Sequence, residues 1–273
     1  MLRHQLGWLG IADGQLIELQ TINRRGPKAH VAMTMSIEGA VRLALPRDAQ
    51  GHLTLPSGES RFRPDRIDAQ GIYLVPNTHV EGMESMLAGG RDRWQINVGD
   101  VTRDDRIAFR RVFYVDGDTR RINNLPISAT RAELARTLER GNVILADILE
   151  RLASIGVDRP EAVVGQMMSG NGFQFHVRLA NISNKGVDGE NAHAAIETIL
   201  CALAVLFDDE VLHIDTTVTD PKRICPLAGT QKRKAADDRE LGRVHRMVTF
   251  EGAPEPRALT LAELLALAEA YRA

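Results

Sequence analysis

From Ala108 to Phe250 the chain alternates short apolar runs with two long helical stretches, and the order of those pieces limits the fold more than any single residue does. A strand runs from about Ala108 to Val115. Thr130-Arg-Ala-Glu133 is a capping box, in which the threonine hydroxyl and the glutamate carboxylate each satisfy a free first-turn amide. It predicts a helix to about Ile155, with Leu134, Leu138, Ile144, Leu145, Ile148, Leu149 and Leu152 apolar and Gly156 at its end. Val163 to Met168 and Phe173 to Leu179 read as strands joined by a glycine turn. Glu190 to Phe207 reads as a buried helix, Val211 to Asp215 as a strand, and Arg243 to Phe250 as a further strand. A second capping box, Thr260-Leu-Ala-Glu263, opens a terminal amphipathic helix to Tyr271. The resulting order, β-α-β-β-α-β and then β, is the split βαβ plan.

The expected class is therefore α/β in the α+β sense. Residues 101–273 would form an RRM-like or palm-like sheet, packed with an N-terminal α/β lobe of residues 1–100. In that lobe His30 to Met35, Val41 to Leu45 and Gly71 to Val75 look like strands. Turns at Pro46 to Gly51 and Pro56 to Gly58 separate them, and Ser57 to Asp68 reads as loop plus a short helix. At 273 residues, two small lobes sharing one core are affordable. Aromatics make up only 4%, so that core must rest on Leu, Ile, Val and Ala. A net charge of −2 is not that of a globally basic nucleic-acid protein. Two cysteines, Cys201 and Cys225, without CxxC spacing, suit a reducing cytosol and argue against structural zinc or a disulfide scaffold. No run approaches ~18 uninterrupted apolar residues, so the expected location is cytoplasmic, with no membrane contact.

Chemistry-bearing residues gather at the strand ends. In Phe113 to Arg120 an apolar strand closes on Asp116 and Asp118, with only Gly117 between them. Residues two apart on a strand face one side, so both carboxylates can address one point. Hard oxygen ligands of this kind suit Mg²⁺ or Mn²⁺. The same residues also fit a solvated Asp-Gly turn. Asp215 ends the later strand, and three carboxylates can hold two divalent ions roughly 3.5–4 Å apart, clamping the oxygens of phosphoryl transfer. The turn Ser169, Gly170, Asn171, Gly172 fits either an anion-binding nest or a plain hairpin. After it, Gln174 and His176 share one strand face. Between Pro221 and Arg246 lies the local basic patch that the overall charge hides. It carries Lys222, Arg223, Lys232, Arg233, Lys234, Arg239, Arg243 and Arg246, suited to a triphosphate or a nucleic-acid backbone, or to a solvated loop.

The runs GIYLVPN (Gly71 to Asn77), RDDRIAFRRVFYVDGD (Arg103 to Asp118), ISATRAEL, SGNGFQFHVRL, HIDTTVTDPKRICPLAGTQKRK and RVHR resemble, in their order, the primase-polymerase catalytic domain of the archaeo-eukaryotic primase superfamily. The versions carried by plasmids, phages and other mobile elements are the most similar. The resemblance spans about Gly71 to Phe250. It implies a DNA primase or polymerase that transfers nucleotides from NTPs or dNTPs on a single-stranded DNA template. Asp116, Asp118 and Asp215 would be catalytic ligands of Mg²⁺ or Mn²⁺. Ser169, Gly170, Asn171 and Gly172 would receive nucleotide phosphates, with Arg223, Arg243 and Arg246 near them. Lys222, Lys232, Arg233 and Lys234 would contact nucleic acid. Two departures stand out. The family's aspartate-isoleucine-aspartate is DGD here. Its histidine after the second glycine is Gln174, so either His176 takes that role or phosphate binding is weaker. No GxxxxGK[ST] run occurs, which leaves any replicative helicase to a separate chain. Two other readings remain open: a catalytically weak or inactive DNA- or nucleotide-binding module of this fold, in replication initiation or defence, and an RRM-like RNA binder. The last needs exposed aromatics, from Phe113, Tyr114, Phe173 or Phe175, which are better explained as core.

Overall fold

The first half of the chain supplies α1 (Leu2–Trp8), β1 (Ile17–Asn23), β2 (His30–Thr34), α2 (Ile37–Ala44), β3 (Ala69–Val75), β4 (Thr78–His79) and β5 (Trp94–Ile96). The second half supplies β6 (Ile107–Thr119), α3 (Arg131–Ser154), β7 (Val164–Met168), β8 (Gly172–Ser183), α4 (Gly186–Phe207) and β9 (Leu212–Ile214). After these come β10 (Cys225–Pro226), β11 (Gln231–Lys232), β12 (Arg246–Met247), β13 (Thr249–Glu251) and α5 (Leu261–Arg272). This computed structural model describes residues 1–23, 30–45, 69–83, 92, 94–96, 103–121, 127–233 and 238–272. The fold is mixed α+β with antiparallel sheets.

One sheet has the order β10-β3-β1-β2-β5, and the other β13-β7-β8-β6-β4. Strand β9 joins the second sheet on the same edge of β6 as β4, at the opposite end of the strand. Each sheet thus takes a short strand from the other half of the chain. Beside Thr130, the capping box forms as the sequence requires: Glu133 N donates to Thr130 Oγ1 at 3.1 Å and Thr130 N to Glu133 Oε2 at 2.7 Å. Leu134, Thr137, Gly141, Ile144, Ile148 and Leu152 form the buried stripe of α3, at helical spacing. The second capping box, Thr260 with Glu263, opens α5. Helix α4 is long and apolar enough to cross a membrane by length and composition. Its Ala192, Ala195, Ile196, Ile199, Leu200 and Leu203 pack instead in the core with β8, β9 and α5.

Two expected strands differ. Val41 to Leu45 lies largely in α2, which Ser36 caps by accepting Gly39 N at 2.9 Å, and which buries Ala40, Leu43 and Ala44. Five residues, four of them apolar, are too few to reveal a 3.6 period. Arg243 to Phe250 is not one strand. It divides into β12 and β13 because Val248 leaves both partners to bond Gly229 and Thr230 (2.8 Å each). Strand β1 was not anticipated. The turns at Pro46 to Gly51 and Pro56 to Gly58, and Ser57 to Asp68, lie outside the described residues.

The second sheet has two covered faces. Phe113, Val115, Phe173, Phe175, Val177, Leu212 and Ile214 face the core shared with α3, α4 and α5. Val112, Tyr114, Met167 and Phe250 face a second core, built with α1, β1, α2, Leu74 and Cys225. Both cysteines are free.

Candidate active site at the end of the central strand

The C-terminal end of β6 lies between β8 and β9. Asp116 is opposite Gln174, Gly117 opposite Phe173 and Ile214, and Asp118 opposite Gly172 and His213. One step beyond the last pair, Asp215 N donates to Asp116 O at 2.9 Å. Direct cross-strand neighbours share a face. Asp116, Asp118, Asp215, Gln174 and His213 therefore lie on one side, and Gly117, Phe173, Leu212 and Ile214 on the core side.

The glycine between the carboxylates has a packing reason. A Cβ at Gly117 would stand 2.2 Å from Phe173 Cζ, and one at Gly141 on α3 would stand 2.8 Å from the same ring. Phe173 fills the slot that both glycines leave. Gly172 starts β8 so close to β6 that a Cβ there would lie 2.0 Å from Gly117 O.

The carboxylate oxygens are turned to protein partners. Gln174 Nε2 donates to Asp116 Oδ2 at 3.0 Å. Asp215 Oδ1 accepts from Thr217 N at 2.9 Å and from Thr217 Oγ1 at 2.6 Å, and Arg223 Nη2 donates to the same hydroxyl at 2.9 Å. Arg223 also lies 3.6 Å from Asp215 Oδ2. Among the described residues, no three Asp, Glu, His or Cys side chains close around one point. Burial, then the charge of Asp118, then that of Asp215, push the Asp116 carboxyl up to about 7, against the Gln174 hydrogen bond and Lys232. Burial is the first cause of that shift, and the repulsion among the three carboxylates adds to it.

Lys232 supplies the facing cation. Its Nζ lies 4.4 Å from the centre of the Tyr73 ring, and it donates to the Tyr73 hydroxyl. Burial lowers the Lys232 pKa and the charges of Asp116 and Asp118 raise it; burial and the same two charges raise the Tyr73 pKa. The sequence had placed Lys232 with the nucleic-acid contacts. Tyr73, Thr217 and His213 were not singled out at all. His213 Nδ1 lies 2.9 Å from Asp208 Oδ2, which fixes its ring beside Asp118.

The turn Ser169 to Gly172 is bound into its surroundings. Ser169 N donates to Gly172 O at 3.0 Å. Asn171 O accepts from Thr119 Oγ1 at 2.7 Å, and Asn171 Oδ1 accepts from Ala129 N at 2.8 Å. Gly170 has φ +97°, and a Cβ there would approach Lys232 Cβ to 2.7 Å. Arg246 Nη1 donates to Gly170 O at 3.3 Å, so it lies against this turn.

Other residues are drawn elsewhere. Arg243 forms a two-bond pair with Glu133, at 3.0 and 3.1 Å, and also donates to Ser128 O. Lys222 pairs with Asp104 at 2.9 Å, before the opposite end of β6. Arg233 N donates to Gln70 O at 2.6 Å. Lys234 lies outside the described residues. His176 shares the face of Gln174 but is 0% exposed, packed against Tyr114 and Phe250 at ring distances of 4.8 and 5.5 Å. Burial pushes its pKa down to about 3. A neutral ring sealed from solvent cannot meet a phosphate, so of the two alternatives left by Gln174 the one in which His176 takes the histidine's role is excluded. Phe113, Tyr114, Phe173 and Phe175 are all buried and offer no stacking platform for bases.

The chain matches no protein-family model, no curated protein and no solved structure.

Proposed function

We propose that this protein is a metal-dependent nucleotidyltransferase. Within that class, we read it as a primase-polymerase of the archaeo-eukaryotic type, working on a single-stranded DNA template in the cytoplasm, in replication of a plasmid, phage or mobile element. The observation that carries the reading is the register of β6, β8 and β9. Asp116, Asp118 and Asp215 occupy neighbouring positions on one face of one sheet end. The strand order β9-β6-β8-β7 supports the split βαβ, palm-like arrangement.

Three carboxylates on one face of the sheet end are the donor type a hard divalent cation takes. Their side chains do not converge on one point as they stand, so binding would draw them together. Asp116, Asp118 and Asp215 would hold Mg²⁺ or Mn²⁺, which when bound neutralises developing phosphate charge. Lys232, held at Tyr73, and Arg223, held at Thr217 and Asp215, would take the anionic side of an NTP or dNTP. Arg246 and the Gly170 turn lie next to Lys232. Gln174 orients Asp116. A second reading, a non-catalytic DNA- or nucleotide-binding module, has the Gln174 bond to Asp116 in its favour, since it occupies an oxygen that a metal would need.

Labelled nucleotides, single-stranded DNA and Mn²⁺ or Mg²⁺ separate the two. The wild type is expected to make or extend short products, and Asp116→Ala or Asp118→Ala to abolish them. Full activity in both variants sinks the assignment. Silence of the wild type with both metals and both sugar types, alongside measurable nucleotide binding, selects the second reading.

A further inference from the structure

We infer that the groove beside Arg111, where the register between β6 and β8 shifts between Arg110 and Val112, binds a small organic anion, its phosphate or carboxylate group held by Arg111. The groove encloses about 580 Å³, in the range of small-molecule sites. Ile11, Leu16, Met35 and Val75 give it an apolar wall, and Thr78 and Arg111 bring polar groups to it. Arg111 stands five residues before Asp116, about 16 Å along an extended strand. The site is therefore separate from the carboxylate end, and the inference does not depend on the proposed activity.

Arg111 is 6% exposed. Its Nη1 donates to Gly10 O at 3.4 Å and its Nη2 to Gln15 Oε1 at 3.1 Å, both neutral acceptors. Among the described residues no carboxylate pairs with it. The buried carboxylate in this region, Glu18, is held by His79 at 3.0 Å and by Gln20 at 2.6 Å. Glu81, a carboxylate on the groove's lining, is exposed. A second cation stands close by. Arg178 donates to Trp8 O, and its Nη2 lies 2.7 Å from where a Gly10 Cβ would be. Burial, and then Arg178, lower the Arg111 pKa. Two guanidinium groups beside Gly10, one buried and one half-buried, are answered only by neutral acceptors and leave a positive charge uncompensated. Charges of this kind are ordinarily paired, and the geometry leaves an anion as the missing partner.

Thr78 is the second, independent sign. Its hydroxyl oxygen is buried without a hydrogen-bond partner, on the wall of the same groove. A buried hydroxyl normally finds one; turned about χ1 toward the groove, it would donate to an anion oxygen held by Arg111. The apolar wall then takes the ligand's body.

The test is thermal unfolding and calorimetric titration of the full chain without divalent metal. The probes are inorganic phosphate, adenosine monophosphate and butyrate, each against sodium chloride at equal ionic strength. A saturable rise in Tm with a phosphate or a carboxylate probe, beyond the chloride response, is expected, and the probe that acts names the head group. Arg111→Met should remove it. Thr78→Val, which keeps the side-chain shape, should weaken the affinity several-fold. Lys232→Met should leave it unchanged, which separates this groove from the nucleotide site. No saturable response to any probe overturns the inference, as does an unchanged response in folded Arg111→Met. Should Arg111→Met not fold, unchanged affinity in Thr78→Val overturns it.

Discussion

Gly117 is held to glycine from the side of the sheet away from the carboxylates. The Phe173 ring occupies the space where its side chain would be, so any larger residue must displace a fully packed aromatic. Gly117→Ala is expected to cost about 1–3 kcal/mol, the usual penalty of overpacking, read from urea denaturation. Phe173→Leu in the same chain should return part of that loss. If Gly117→Ala costs the same in both backgrounds, the ring is not the constraint. The carboxylate pair itself was legible in the sequence, because period-two alternation puts Asp116 and Asp118 on one face wherever the strand pairs. The reason for the glycine was not legible. It depends on a ring from the next strand and on Gly141 of α3, a contact that no pattern within one element records.

At the scale of elements, the basic stretch from Pro221 to Arg246 separates into cations with different tasks. Arg243 belongs to helix α3. It holds Glu133, whose carboxylate also accepts Thr130 N at the cap. Burial alone would raise the Glu133 pKa, but the hydrogen bonds from Thr130 and Arg243 outweigh it and hold the carboxyl below its ordinary value. Lys232 belongs to the carboxylate site, packed on the Gly170 turn. Arg243→Ala is expected to cost about 1–3 kcal/mol, as a half-buried hydrogen-bonded charge loses its partner, with nucleotide affinity nearly unchanged. Lys232→Met is expected to do the reverse, with little loss of stability and at least tenfold weaker triphosphate binding. Denaturation and nucleotide titration of both variants check this, and equal effects on binding would return Arg243 to the nucleotide site. Charge runs hide such differences because the partners, Glu133, Asp104 and Asp116, come from distant segments. The capping boxes were readable for the opposite reason, since Thr130 and Glu133 are three positions apart and act within one turn.

At the scale of the molecule, the halves of the chain do not part at residue 100. Strand β4 completes the second sheet and β10 the first, and a common core joins them. His176 sits on β8 of the second sheet against that core, with both ring nitrogens buried and lacking hydrogen-bond partners. Burial moves its pKa from 6.5 down to about 3. Between those values the unfolded chain holds a proton on this residue that the folded chain does not. Stability therefore rises with pH through that window, is flat above 6.5, and falls as pH drops from 6.5 toward 3. At ~1.4 kcal/mol per pH unit, His176 alone should remove about 2 kcal/mol by pH 5. His176→Leu removes the titrating ring and both unpartnered nitrogens at similar volume. It is expected to match or exceed the wild type at pH 7.5, and its advantage should widen by that same ~2 kcal/mol at pH 5. Urea denaturation of both proteins at the two pH values measures the difference directly. A gap that does not change with pH would mean that His176 takes up its proton in the folded state, which requires solvent or an acceptor between the two sheets.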